Sequence, residues 1–293
     1  MSSLRALEPI VIDEENIARI NDKLRHLNEE ISVSMSFVRR ANGMSYEQLN
    51  ERMTGIKFST LKRYFQQSYT AMKPLHFLAA LSWVLMVPMT SFYHGLRIKE
   101  HYRGMDDKAV EALLSVGRIP SFQFETALDL IASFMAPEQQ REFRAFREKL
   151  QDDGVSKGYN DLMPPEKLDI NLFAIDYYRS IAITMKRFRT KHKLSHNTMA
   201  HVLGMSQYQY SALEDERRTV QFPVSLGVRA KLGFMQSSHV EFTSEMTHFP
   251  EFHRLRQTQH LRDMLIVEAM RLLAEKQKAP VANILKEISA LCL

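Results

Sequence analysis

The residues of this chain best equipped for chemistry lie between positions 181 and 234. Gln207 and Gln209 stand beside Tyr208, with Ser206 before them and Ala212 after. A glutamine amide carries a donor and an acceptor side by side, the pattern that can bond an adenine edge bidentately. Lys186, Arg189, Lys193, Arg217 and Arg218 place fixed positive charge on either side, and His196 stands at a helix start, where an anion can be met. The same residues would also suit a merely solvated polar helix face. No catalytic set accompanies them: there is no Gly-rich phosphate loop, GxSxG elbow, HExxH or Cys–His pair. His192 and His196 have the spacing of metal ligands, but Ser195 falls between them as a capping residue and keeps them off a common helix. Asp106-Asp107 and Asp152-Asp153 read as a helix cap and a linker rather than as acid–base pairs. The expectation is therefore no enzyme, no metal and no cofactor.

The elements that must position these groups are two short helices. Ser195 is placed as an N-cap, and the spacing predicts a helix over 196–203 that ends at Gly204. Ser206 is a second N-cap, opening a helix over 207–214. Met199 and Leu203 share one face of the first, Tyr210 and Leu213 one face of the second, and Ala200 is small where the two would cross. Ala200, Gly204, Met205, Ser206, Ser211 and Glu214 together resemble the helix-turn-helix of the phage-repressor-like family (Cro, lambda repressor and XRE-type regulators). Tyr210, where a β-branched residue is usual, and Glu216, where Gly commonly stands, depart from its pattern. The resemblance implies an all-α fold and a bacterial-type transcriptional regulator. It assigns base reading to Gln207, Tyr208, Gln209 and Ala212, and phosphate contact to Lys186, Arg189, Lys193, His196, Ser206, Arg217 and Arg218.

A second copy lies upstream. Gly55/Gly204, Lys57/Ser206, Leu61/Tyr210, Tyr64/Leu213 and Pro74/Pro223 are each 149 residues apart, while Ser45/Ser195 and Leu49/Met199 are 150 apart. One residue inserted in the first turn reconciles the two registers, so the pattern is a repeated module. The first copy resembles the family less well, with Asn50 at the helix crossing and Phe65 in place of the Glu. Its matching contact residues are Ser45, Tyr46, Lys57, Ser59, Thr60, Lys62 and Arg63.

Charge follows the same division. The chain carries +5 overall, distributed as −3 over 1–30, +5 over 31–93, −3 over 94–174, +6 over 175–235 and 0 over 236–293. Two basic segments between acidic ones suit a polyanion partner. The single cysteine, Cys292, rules out an intrachain disulfide and fits a reducing compartment. The apolar run 75–89 is broken by His76, Ser82 and Pro88 and is too short to span a bilayer, so it reads as a buried helix. Domains are expected at 1–93, 94–150 (a helical middle region), 171–235 and 236–293, with a linker over 151–170. In the middle region helices are expected over 106–116, 122–134 and 137–150, capped by Asp107 or Ser121. Leu113, Leu114, Phe122, Leu128, Leu130, Ile131 and Phe134 would share a core there. A long helix over 251–278 should break at Pro280, leaving a C-terminal stripe (Val281, Ile284, Leu285, Ile288, Leu291) that either folds back on its own domain or, as suits a repressor-like module, pairs with another subunit. The expected protein is a cytoplasmic, nucleoid-associated homodimer that binds a palindromic operator on double-stranded DNA, with no membrane contact. The alternatives are a protein-interaction scaffold and a ligand-sensing regulator in which only one module, or neither, meets DNA.

Overall fold

The computed structural model describes residues 10, 12–152, 163–234 and 238–292. Residues 153–162 of the expected 151–170 linker lie outside them. The described residues are mostly helical, with almost no strand. The first half runs α1 (Glu14–Lys23), α2 (Leu27–Ala41), α3 (Tyr46–Arg52), β1 (Met53–Thr54), α4 (Phe58–Tyr64) and α5 (Leu75–Val84). Two 3-10 helices (Met89–Tyr93, Arg97–His101) lead to α6 (Asp107–Val116), α7 (Ser121–Ser133) and α8 (Pro137–Asp152). The second half runs β2 (Leu168–Asp169), α9 (Ile170–Lys191), α10 (His196–Leu203), α11 (Gln207–Leu213) and α12 (Ser225–Gly233). It ends with α13 (Ser238–Glu241), α14 (Pro250–Leu272) and α15 (Glu275–Leu291). Among the described residues no helix is long and apolar enough to cross a membrane.

The repeat read from spacing is a repeat in space. Pro74 faces Pro223 in an antiparallel bridge. The Leu75 amide donates to the Phe222 carbonyl at 2.8 Å and the Val224 amide to the Lys73 carbonyl at 3.1 Å. Each donor and acceptor is 149 residues from its counterpart, so the two halves meet about a local two-fold. Both prolines occupy the position of an antiparallel pair that asks no amide of them, so the missing N–H costs nothing. The Tyr178 hydroxyl backs this seam, accepting from the Phe222 amide at 3.1 Å and lying 3.1 Å from His76 Nδ1. Equivalence extends further: Ser34 Oγ donates to the Phe92 carbonyl, and Thr184 Oγ1 to the Glu241 carbonyl. Helix α9 packs on α5 of the first half, and α1 packs on α12 of the second.

The inserted residue has a structural role. Between Met53 and Gly55 the chain holds Thr54, and Met53–Thr54 pair in parallel with Leu168–Asp169. Asp169 then caps α9 by accepting from the Asn171 and Leu172 amides, while Asn171 Nδ2 donates to the Gly55 carbonyl at 3.0 Å. The turn of the first helix pair is thereby tied to the strand that opens the second half.

Several boundaries differ from expectation. Asp106, not Asp107, caps α6 through the Ala109 amide, and Ser121 begins α7 without a side-chain cap. The expected 75–89 helix stops at Val84, because Met86 takes a left-handed φ of 54° and Pro88 has no amide to continue the ladder. The long C-terminal helix ends at Leu272, and Pro280 lies inside α15 rather than breaking it. The chain turns at Leu273 and Ala274 instead, where Leu273 is buried and Gln277 Oε1 accepts from the Ala274 amide. Packing along α6 carries α15 past the one bond the proline forfeits. Phe122, Leu130 and Phe134, expected in the core, lie on the solvent side of α7, whose buried face is Phe124, Ala127, Leu128 and Ile131.

The C-terminal helices belong to the body of the molecule. Val281 and Leu285 are buried, α15 lies along α6, and only the end of the stripe, at Leu291, is open. Helix α14 carries charged residues into the interior, where the first half answers them. Arg256 Nη2 donates to the Ala79 carbonyl, and Arg262 Nη1 to the Val116 and Ile119 carbonyls. Asp263 accepts from Thr90 and Tyr102, and Glu268 pairs with Arg103. Burial pushes the Asp263 carboxyl up to about 6 against those two hydroxyl donors.

Candidate nucleic-acid interface

The site is built at the end of α9. The helix closes when the Leu194 amide donates to the Arg189 carbonyl, which puts Lys193 at a left-handed φ of 54°. Its counterpart in the first half is Gly43, at φ 64°. Ser195 caps α10 through the Thr198 amide at 3.0 Å, and α10 stops at Gly204, φ 66°. The backbone angle calls for glycine, and a Cβ there would also have to displace the end of the Arg229 side chain, 2.6 Å away. Ser206 opens α11 with a reciprocal cap: its hydroxyl accepts from the Gln209 amide, and Gln209 Oε1 accepts from the Ser206 amide.

On α11, Gln207, Tyr208, Gln209 and Ser211 are exposed, Tyr208 by 76%, while Ala212 is half-buried. Tyr210 and Leu213 hold the helix down. Of the residues expected to read bases, Gln207 and Tyr208 stand outward. Gln209 Oε1 already accepts from the Ser206 amide, so a bidentate contact from Gln209 would share that oxygen with its cap. The Ser206-x-x-Gln209 spacing, repeated at Ser45-x-x-Gln48, was the signal for this cap.

The expected phosphate contacts divide in the same way. Lys186, Lys193 and Arg217 are exposed and form no ion pair with the described residues, whereas Arg218 lies 3.2 Å from Asp215. Arg189 and His196 instead face Glu214. Arg189 donates to both carboxylate oxygens, at 2.7 and 2.9 Å, and His196 Nε2 stands 3.3 Å away. Tyr210, buried beneath, donates its hydroxyl to Glu214 at 2.5 Å. Burial works to raise the Glu214 carboxyl, but Arg189 and Tyr210, with His196 nearby, hold it below its ordinary value. Burial and the same carboxylate push the Tyr210 phenol well up. Arg189 and His196 thus fasten α11 to α9 and α10 rather than projecting from the surface. Spacing gave no sign of this, because Arg189 and Glu214 are 25 residues apart.

The first half repeats the scaffold with different contacts. Ser45 and Gln48 form the same reciprocal cap on α3. Lys57, Ser59, Lys62 and Arg63 are exposed along α4, and Thr60 is half-buried. Tyr46 is a packing residue rather than a surface contact: its ring meets Phe65 edge-on at 5.3 Å, and the Arg39 guanidinium lies 4.1 Å from its centroid. Arg39, Tyr46 and Phe65 occupy the places of Arg189, His196 and Glu214. Among the described residues no three His, Cys, Asp or Glu side chains gather as a metal site. Compared with family models, with curated proteins and with solved structures, the chain shows no match.

Proposed function

We propose that the chain is a sequence-specific transcriptional regulator that binds double-stranded DNA through helix-turn-helix modules, with α11 entering the major groove. The carrying observation is the outer face of α11. Gln207 and Tyr208 project from it, and Lys186, Lys193 and Arg217 flank it as exposed cations unpaired among the described residues. An amide that reaches base edges supplies selectivity, and cations that displace counterions supply affinity. The first helix pair, with Lys57, Lys62 and Arg63 exposed, takes the other half-site, so one chain provides the two-fold relation for which a homodimer was expected. The burial of Val281 and Leu285 on α15 supports this one-chain stoichiometry over pairing through the C-terminus. The reading places the protein on the nucleoid.

Sequencing DNA retained from a random pool tests the proposal. The expected product is a bipartite, imperfectly symmetric site, with light scattering giving one chain per duplex. No enriched sequence ends the regulator reading, and two chains per duplex restores the homodimer. A protein-docking role draws its support from Tyr208, a large exposed aromatic of the kind enriched at the centre of interfaces. It would be favoured by a pool without consensus and a binding partner lost on Tyr208→Ala.

A further inference from the structure

A cleft of about 400 Å³ opens where the first helix pair meets the C-terminal helices. Gln48 and Arg52 of α3 form one wall, Val84 at the end of α5 and Met86 just after it another, and Arg118, between α6 and α7, a third. Leu255 and Gln259 of α14 close it, with Cys292 at its edge. That volume falls in the range of small-molecule sites, which run from about 300 to 1,000 Å³.

Its chemistry is one-sided. Arg52 donates to the Pro165 carbonyl at 3.0 Å and Arg118 to the Leu85 carbonyl at 3.4 Å, and neither has a carboxylate partner among the described residues. The two guanidinium groups are close enough to repel: burial, and for Arg118 the charge of Arg52, holds both below the ordinary arginine value. A single carbonyl acceptor engages one of a guanidinium's five N–H donors and leaves net charge uncompensated, a costly condition for partly buried cations. Deeper in, Gln259 is 2% exposed, and its Nε2 has no hydrogen-bond partner, although its Oε1 accepts from Arg256 at 2.8 Å. Val84, Met86 and Leu255 make the remaining wall apolar.

We infer that this cleft binds a small organic anion, with a carboxylate or similar oxyanion seated between Arg52 and Arg118 and an apolar body against Val84, Met86 and Leu255. The inference is independent of what α11 contacts. Guanidinium pairs suit carboxylates because their planar forks donate two parallel bonds.

Calorimetry with decanoate and with 1-decanol on the intact chain tests it. Decanoate is expected to bind one to one and the uncharged alcohol at least about tenfold more weakly, as loss of a charge-assisted bond implies. Cys292, the chain's single cysteine, reports location without any substitution: decanoate, not decanol, should slow its reaction with an aromatic disulfide. Combining Arg52→Gln with Arg118→Gln should weaken decanoate about tenfold or more, while the paired Lys substitutions, which keep the charge and lose the fork, should weaken it less than the Gln pair does. No binding of decanoate, equal binding of both probes, or an unprotected Cys292 in saturating decanoate would each overturn the site. The comparison of probes and the Cys292 readout hold even if the glutamine variant does not fold.

Discussion

The two helix pairs share a scaffold and differ in what locks it. In the second, Glu214 gathers Arg189, His196 and Tyr210 into a charged clamp between α9, α10 and α11. In the first, the matching positions hold Phe65, Arg39, Tyr46 and Leu61: two rings edge to edge with a guanidinium stacked on one of them. A carboxylate that accepts from Arg189 and Tyr210 fixes orientation, because each bond is directional. Packed rings contribute mainly by leaving water, and tolerate small rotations. The first pair regains rigidity elsewhere, through the parallel pairing of Met53–Thr54 with Leu168–Asp169 and the bond from Asn171 to the Gly55 carbonyl. One scaffold is thus fastened from within at one copy and from its neighbour at the other.

The difference has consequences that can be measured, the largest first. Phe65→Ala should cost about 3–5 kcal/mol in urea unfolding, as a large buried ring leaves a cavity, and the loss should hardly vary with salt or pH. Glu214→Gln should cost about 2–3 kcal/mol by weakening a largely buried charged cluster. Its pH signature has a definite sign. The folded Glu214 value lies below the ordinary carboxyl value, so its stabilisation is complete above about pH 4.5 and fades as pH falls through the folded value. The glutamine variant should therefore show a shallower acid slope than the parent. Equal slopes would mean that the clamp is no more electrostatic than its aromatic counterpart.

On DNA, Gln207→Ala should relax base preference by about 1–3 kcal/mol at one position of the selected site and leave non-specific binding unchanged. Lys62→Ala with Arg63→Ala should instead lower the salt slope by about 2 if α4 touches phosphates, with little effect on consensus. An unchanged slope would make the first pair a structural copy. The smallest effect expected is at the turn before α10: Lys193→Gly should stabilise by about 1 kcal/mol, since a lysine stands in a left-handed conformation where the first half uses Gly43. A loss there would show that the Lys193 side chain contributes more than its backbone strain costs.

What the sequence made legible was local. Ser195, Gly204 and Ser206 each set a backbone condition within three or four residues, and the helix 196–203 emerges with those bounds. The 149-residue offset and its one-residue slip were also readable, because a repeat needs no knowledge of folding. What depended on distant partners was not. Arg189 reads as a surface cation until Glu214 is beside it, and Phe122 reads as core until the other face of α7 proves to be the buried one. Pro280 reads as a stop, but tertiary packing along α6 outweighs one lost backbone bond. The cleft lined by Arg52 and Arg118 had no signal at all, since 66 residues and several turns separate its two cations.

The proline seam at Pro74 and Pro223 joins two copies that the peptide chain already holds together. Such a pair cannot come apart on dilution, as separate subunits would. Whatever the outward faces of α4 and α11 engage, they arrive in a one-to-one ratio, and occupancy rises with the first power of protein concentration instead of its square. Covalent joining also frees each copy from having to match the other, so α4 and α11 can diverge in sequence without creating mixed or mismatched assemblies.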